Sequence, residues 1–185
     1  MTATLEREIK LRFEDAETAR AAILRAGATP LRCRRLQEDC LLDTPDDDLR
    51  RRRCVLRVRV ESGKSLLTFK GPVQPSLMKV REELETVVGD GSLLVHMLEV
   101  LGFRVWFRYQ KYREEFALDD VLVALDETPV GTFVEIEGGD RGIADTAEAL
   151  GRGPNDYLLD SYRRLYQVDC ESRGIAATDM LFDEE

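Results

Sequence analysis

Apolar and charged residues alternate in "LEREIKLRF", residues 5–13. Leu5, Ile9, Leu11 and Phe13 share one side of a strand, with Arg7 the exception, and Glu6, Glu8, Lys10 and Arg12 share the other. The same period returns in "LRCRRLQEDCLLDT", "CVLRVRV", "SLLTFKG", "MKVREELETVV", "RVWFRYQKYREEFAL", "DDVLVALDE" and "GTFVEIEG". Each predicts a strand. "TPDDD" stops one of them, and "ESGK" and Asp119-Asp120 mark hairpin turns. Helical spacing replaces alternation in "EDAETARAAILRAGA", whose acids come early and whose Gly27 comes last. It returns in "GDGSLLVHMLEVLGF", where Asp90 or Ser92 is the N-cap, and in "RGIADTAEALG" and "PNDYLLDSYRRLYQV". The pattern predicts about eight strands and four helices, with no repeat or linker. One domain is expected over residues 1–168, followed by an acidic, mobile tail over 169–185.

The polar faces of these strands are unusual. Arg57 and Arg59 lie opposite Leu56, Val58 and Val60. Lys70 lies opposite Leu67 and Phe69, and Arg81, Glu83 and Glu85 lie opposite Val80 and Leu84. Lys111 and Arg113 share a face, as do Glu135 and Glu137. A solvated face is the ordinary reading of any one such strand. Six together point elsewhere, because the amphipathic helices need the apolar side of the sheet. The charged side then faces water as an open sheet or faces itself inside a closed barrel, for which eight antiparallel strands suffice. Enclosed charges are costly unless paired or bound to ligands. A polyanion with divalent metals satisfies both signs: cations take phosphate oxygens and carboxylates take hard metal ions.

Composition narrows the partners. The 185 residues carry 36 acids and 27 bases, a net charge of -9, which argues against general nucleic-acid binding. The first ten residues hold no apolar run of a secretory signal, and no stretch approaches the ~20 apolar residues of a spanning helix. No membrane association and a cytoplasmic location are expected. Cys33, Cys40, Cys54 and Cys170 show no paired spacing, so neither a zinc site nor a disulfide framework is expected.

"Glu6-Arg7-Glu8-Ile9-Lys10" resembles the E-x-E-x-K signature of the CYTH superfamily, the triphosphate tunnel metalloenzymes. The order of further segments makes the resemblance specific. "EDCLLDTPDDDL" is similar to the second-strand segment, "VLRVRV" to the L-R-x-R strand and "LLTFKGP" to the lysine strand. "YQKYREEF" is similar to the K-x-R strand, "ALDETPVGTFVEIEG" to the late Asp and E-x-E strands, and "LDSYRRLY" to the terminal S-Y helix. The resemblance implies an α+β fold: a closed eight-stranded antiparallel β-barrel, the tunnel, with helices packed outside. It implies metal-dependent chemistry on triphosphates, with two Mg²⁺ or Mn²⁺ ions. By position, Glu6, Glu8, Glu135 and Glu137, helped by Asp126, are the implied metal ligands. Lys10, Arg57, Arg59, Lys70, Arg81, Lys111 and Arg113 are the implied phosphate-binding cations. Glu83 or Glu85 belongs to the mid-chain strand in an open register, and Arg163 stands at the tunnel mouth. Glu6, Glu8, Lys10, Glu135 and Glu137 are the implied catalytic set.

Family members include inorganic, thiamine and RNA triphosphatases and class IV adenylate cyclases. Hydrolysis of tripolyphosphate, thiamine triphosphate or a nucleoside triphosphate is favoured, since no purine pocket is legible. Cyclisation of ATP to cyclic AMP is the alternative, and a non-catalytic polyphosphate-binding module is a second. A homodimer is left open. Changing Glu8 or Glu137 to Gln is expected to abolish turnover with the fold intact. The arginines of "LRRRRCVLRVRV" are expected in a solvated loop, His96 in a structural or surface role, and Trp106, Phe107 and Tyr109 in packing.

Overall fold

The computed structural model describes residues 4–183. Eight strands follow in chain order: β1 (Thr4–Phe13), β2 (Thr29–Asp43), β3 (Val55–Glu61), β4 (Lys64–Lys70), β5 (Lys79–Val88), β6 (Arg104–Leu118), β7 (Val121–Thr128) and β8 (Gly131–Glu137). The helices are α1 (Ala16–Arg25), α2 (Asp48–Arg51), α3 (Gly91–Val100), α4 (Asp140–Ala149) and α5 (Tyr162–Arg173). The strands close into an antiparallel barrel in the order β1-β5-β4-β3-β2-β6-β7-β8. Two meanders, β2 to β5 and β6 to β8, are joined edge to edge by β1 and by the β2–β6 pair.

Local chemistry sets these elements. Ser62 and Gly63 both take positive φ, 47° and 76°, the twist a two-residue hairpin needs between β3 and β4. Asp15 caps α1 by accepting the Thr18 N–H at 2.7 Å, and Asp90 caps α3 through the Leu93 N–H at 2.9 Å. Gly91 opens α3 against β4, its N–H donating to Ser65 Oγ at 3.0 Å. A Cβ there would come within 2.6 Å of that oxygen, so the close approach requires glycine.

The apolar core lies outside the barrel wall. Ile9, Leu11, Val123, Leu125, Val134 and Ile136 pack outward against Ala19, Ala22 and Ile23 of α1 and Ile143 and Ala147 of α4. Fully burying a side chain such as Ile23 contributes about 1.5–3 kcal/mol. A second cluster, with Phe107, Phe133, Tyr162 and Met180, lies beneath α5. The charged faces of the strands are therefore left to fill the interior.

Two stretches depart from the sequence pattern. The helix expected over 154–168 begins only at Tyr162, after a short 3₁₀ turn at Pro154–Asp156. Leu158 instead exchanges both backbone hydrogen bonds with Lys10, at 3.0 and 2.9 Å. β5 pairs with β1 no further than Glu8, so this contact satisfies an open edge. The tail expected to be free from residue 169 is docked. α5 continues to Arg173, and Met180 then bonds the Arg108 carbonyl and the Gln110 N–H, both at 2.9 Å. β7 reaches β6 only from Tyr112 onward, and the tail fills the edge left bare. Residues 184–185, which end that tail, lie outside the described residues. Among the described residues, no helix is long and apolar enough to cross a membrane.

Candidate active site

A cavity of about 670 Å³ runs inside the barrel, and the alternating charged positions line it. β1 contributes Glu6, Glu8 and Lys10, and β3 contributes Arg57 and Arg59. Lys70 enters from β4, Lys111 and Arg113 from β6, and Glu135 and Glu137 from β8. β5 presents Arg81 together with both Glu83 and Glu85, so the open register there resolves with all three facing inward. Most of these groups are buried, Lys10 and Lys111 at 2 % exposure.

Burial on this scale is tolerated because the charges pair. Lys10 Nζ lies 3.1 Å from both Glu8 and Glu135. Lys79 reaches Glu8 at 2.6 Å. Lys70 bridges Glu6 at 2.6 Å and Glu83 at 2.8 Å. Arg59 donates to both oxygens of Asp39, at 2.9 and 3.3 Å, and Arg57 donates to Thr68 at 3.1 Å. Thr68 in turn donates to Glu85 at 2.8 Å. Lys111 and Arg113 meet on Asp126, at 2.8 Å and at 2.7 and 2.5 Å, and Arg113 also grips Glu135.

Pairing does not offset burial equally at every group. Burial, with repulsion from Arg113, pulls the Lys111 ammonium down to about 8 against the pull of Asp126. Burial, with repulsion from Lys10, pulls Lys79 down to about 8. On the acid side, desolvation and the neighbouring charges of Glu6, Glu8 and Glu83 push Glu137, at the exposed end of β8, up to about 7 against the pull of Lys70. Glu137 takes no part in the tunnel's ion pairs among the described residues. Glu8 and Glu135 go the other way. Burial opposes their ionisation, but Lys10 and the other cations around them hold both carboxyls down. Lys10 is raised, the same carboxylates overcoming its burial.

These observations bear on a divalent ion. Among the described residues, no three acid, imidazole or thiol side chains are drawn together as a ready-made ion site. The donor chemistry nevertheless fits one. Glu6, Glu8 and Glu137 offer hard oxygen donors, and Glu137 takes part in no ion pair among the described residues.

Asp126 stands differently from the position its sequence implied. It has no exposure and does not line the cavity. Lys111, Arg113 and the Tyr162 hydroxyl, at 2.6 Å, occupy its oxygens. In this geometry it anchors two cations. Arg163 lines the cavity at the end where β6 begins. There its guanidinium lies 4.5 Å from the Trp106 ring centroid, with that of Arg50 at 4.4 Å. Arg50 and Arg53, expected in a solvated loop, line the same mouth, as does Trp106. His96 is exposed on α3.

The sequence reading missed Asp39, Lys79, Glu61 and Glu115, all buried and the last three lining the cavity. The signal existed for three of them. Extending each charged alternation by two residues reaches Lys79 before Arg81, Glu61 after Arg59 and Glu115 after Arg113. Asp39 sits inside an otherwise ordinary strand, and only its partner Arg59 reveals it.

Residues 4–153 match the CYTH domain family. The chain belongs to that family. Among relatives of this CYTH protein is a Methanocaldococcus jannaschii protein named as a candidate adenylate cyclase. It is 29 % identical over 145 residues, which cover 78 % of this chain and 81 % of the relative. The solved structure of a Pyrococcus horikoshii protein is 28 % identical, with a TM-score of 0.73 over 86 % of this chain and 98 % of that one. A Hippeastrum protein, described as a candidate adenylyl cyclase with a dominant triphosphatase activity, shares the fold. Its TM-score is 0.66 at 17 % identity, over 94 % of this chain and 97 % of that one.

Proposed function

We propose that this CYTH protein is a divalent-metal-dependent hydrolase of triphosphates, with inorganic tripolyphosphate its simplest substrate. The observation that carries the reading is a single cavity inside the barrel lined by both cations and carboxylates. Cations from β1, β3, β4 and β6 and carboxylates from β1 and β8 line it together, and Glu137 takes part in no ion pair among the described residues. A metal–triphosphate complex offsets both signs of charge. The dominant triphosphatase activity of the Hippeastrum neighbour supports the same chemistry by analogy.

Arg57, Arg59, Lys70, Lys111 and Arg113 bind the phosphate oxygens and neutralise charge that builds as the terminal phosphoryl leaves diphosphate. Asp126 and Tyr162 hold Lys111 and Arg113 in place for this role. Lys10 fixes Glu8 and Glu135 between their partners. Mg²⁺ or Mn²⁺ held by Glu6, Glu8 and Glu137, with Glu135 nearby, would supply Lewis-acid polarisation of a phosphoryl oxygen and a water of lowered pKa. Lys10, Lys111, Glu8 and Glu135 are buried in the barrel interior, where each electrostatic contact is stronger than in bulk water.

The test is incubation with Mg²⁺ or Mn²⁺ and, separately, tripolyphosphate, thiamine triphosphate and ATP. Orthophosphate release with tripolyphosphate preferred supports the proposal. Cyclic AMP from ATP would reassign the protein to the activity named for its Methanocaldococcus relative. Tight binding without turnover under any divalent ion would make it a polyphosphate-binding module.

A further inference from the structure

The CYTH match ends at residue 153, yet the chain beyond it helps to wall the tunnel. Over its first half β6 has β2 on one side, while β7 pairs on the other only from Tyr112 onward. Residues 179–182 take up the vacant edge. The Asp179 carboxylate accepts the Arg108 N–H at 2.7 Å, and Met180 bridges Tyr109 in parallel. The Phe182 N–H donates to Gln110 Oε1 at 3.2 Å, and its ring centroid stands 5.2 Å from that of Tyr112. From α5, the Tyr166 hydroxyl donates to the Asp179 carbonyl at 3.1 Å.

This segment sends one side chain inward. Met180 has no exposure, although Leu181 beside it is 44 % exposed. Met180 shares the cluster beneath α5 with Leu41, Phe107, Tyr109 and Tyr162. Both tyrosines reach tunnel charges from that cluster. Tyr109 lines the cavity, and its hydroxyl lies beside the Arg57 guanidinium. Tyr162 donates to Asp126, which holds Lys111 and Arg113. Met180 thus backs the two aromatic side chains that stand between the tail and three cations.

We infer that Met180 is a positioning residue for the phosphate site, seating Tyr109 and Tyr162 so that Arg57, Lys111 and Arg113 keep their places. The inference rests on the phosphate reading of the same tunnel. Removing a buried side chain leaves a cavity into which its neighbours relax only in part. Here the neighbours free to relax are the two tyrosines. A displacement of about 1 Å passed to a charged group is enough to weaken its hold on a bound anion.

Any buried methionine stabilises its fold, so a matched core residue provides the control. Leu150 is buried in the outer cluster with α1 and α4, away from the tunnel cations. Calorimetric titration with tripolyphosphate and Mg²⁺, with thermal unfolding alongside, is applied to Met180→Ala, Met180→Leu and Leu150→Ala. Met180→Ala and Leu150→Ala should both lower the melting temperature. Only Met180→Ala should also weaken tripolyphosphate binding, by about tenfold. Met180→Leu, which nearly conserves volume, should restore it. Asp179→Ala removes the Arg108 anchor and leaves the cluster's side chains intact, so it should weaken binding in the same direction and to a smaller degree. Wild-type affinity in a folded Met180→Ala overturns the inference, as does an equal loss in Leu150→Ala. If Met180→Ala does not fold, wild-type affinity in Asp179→Ala overturns it. A wild-type protein that binds no tripolyphosphate sinks the phosphate reading, whereas wild-type binding that no variant alters sinks this inference alone.

Discussion

The Tyr162 hydroxyl donates to Asp126 Oδ2 at 2.6 Å, tying the first residue of α5 to the carboxylate that orients Lys111 and Arg113. The terminal helix is thereby connected to the tunnel's cations through one buried bond. Burial and the charges of Asp126 and Glu135 hold the phenol well above its usual pKa, so it remains a donor across the working range.

Tyr162→Phe removes the donor and keeps the ring packed on Phe133. Asp126 retains two cationic partners, so the loss should sit at the low end for an orphaned acceptor, about 1 kcal/mol by thermal or urea unfolding. Turnover of tripolyphosphate should fall by about tenfold, mainly in kcat, as Lys111 and Arg113 lose their fixed orientation. An unchanged kcat would separate Asp126 from the phosphate site.

Glu8 and Glu137, treated alike on sequence, should behave differently. Glu8 neutralises Lys10 and Lys79, and Glu8→Gln leaves both buried ammoniums short of a partner. A loss of about 3 kcal/mol is expected on unfolding, together with loss of turnover. Glu137 pairs with neither lysine and sits among like charges. Glu137→Gln should leave the melting temperature unchanged or raised while weakening Mg²⁺ binding by about tenfold or more. A marked fall in melting temperature for Glu137→Gln would contradict the assignment of its surplus charge.

Acid should loosen the far end of the tunnel. Burial raises the Glu61 carboxyl, but contacts from Arg35 and Gln37 overrule it and hold the group at about 2, below its ordinary 4.5. The folded pKa is depressed, so the stabilisation is complete above about pH 4.5 and is lost as pH falls towards 2. Glu61→Gln should lower stability at pH 7 and flatten the fall between pH 4.5 and 2, read by urea unfolding across that window. A fall as steep as in the wild type would assign the acid sensitivity to other carboxylates.

Much of this was legible in the chain because one rule governs it. Period-2 alternation put Glu6, Glu8, Arg57, Arg59, Lys111 and Arg113 on one face, and helices such as the one holding Ala19, Ala22 and Ile23 claimed the other. Where the rule fails, the cause is tertiary. The bulge in β2 hides the partnership of Arg32 and Arg35 with Glu61 and Glu115. Leu158 and Met180 take extended pairings because β1 and β6 expose bare edges, which no local pattern announces. Asp126 reads as one more carboxylate until the three donors around it are seen.

Orthophosphate release from tripolyphosphate, measured with Mg²⁺ or Mn²⁺ and again after chelation, tests the central claim most directly. Turnover is expected with the ion and none with the chelator, with tripolyphosphate cleaved faster than ATP. Turnover that survives chelation, or a tunnel that binds tripolyphosphate and leaves it intact under every divalent ion, would contradict it.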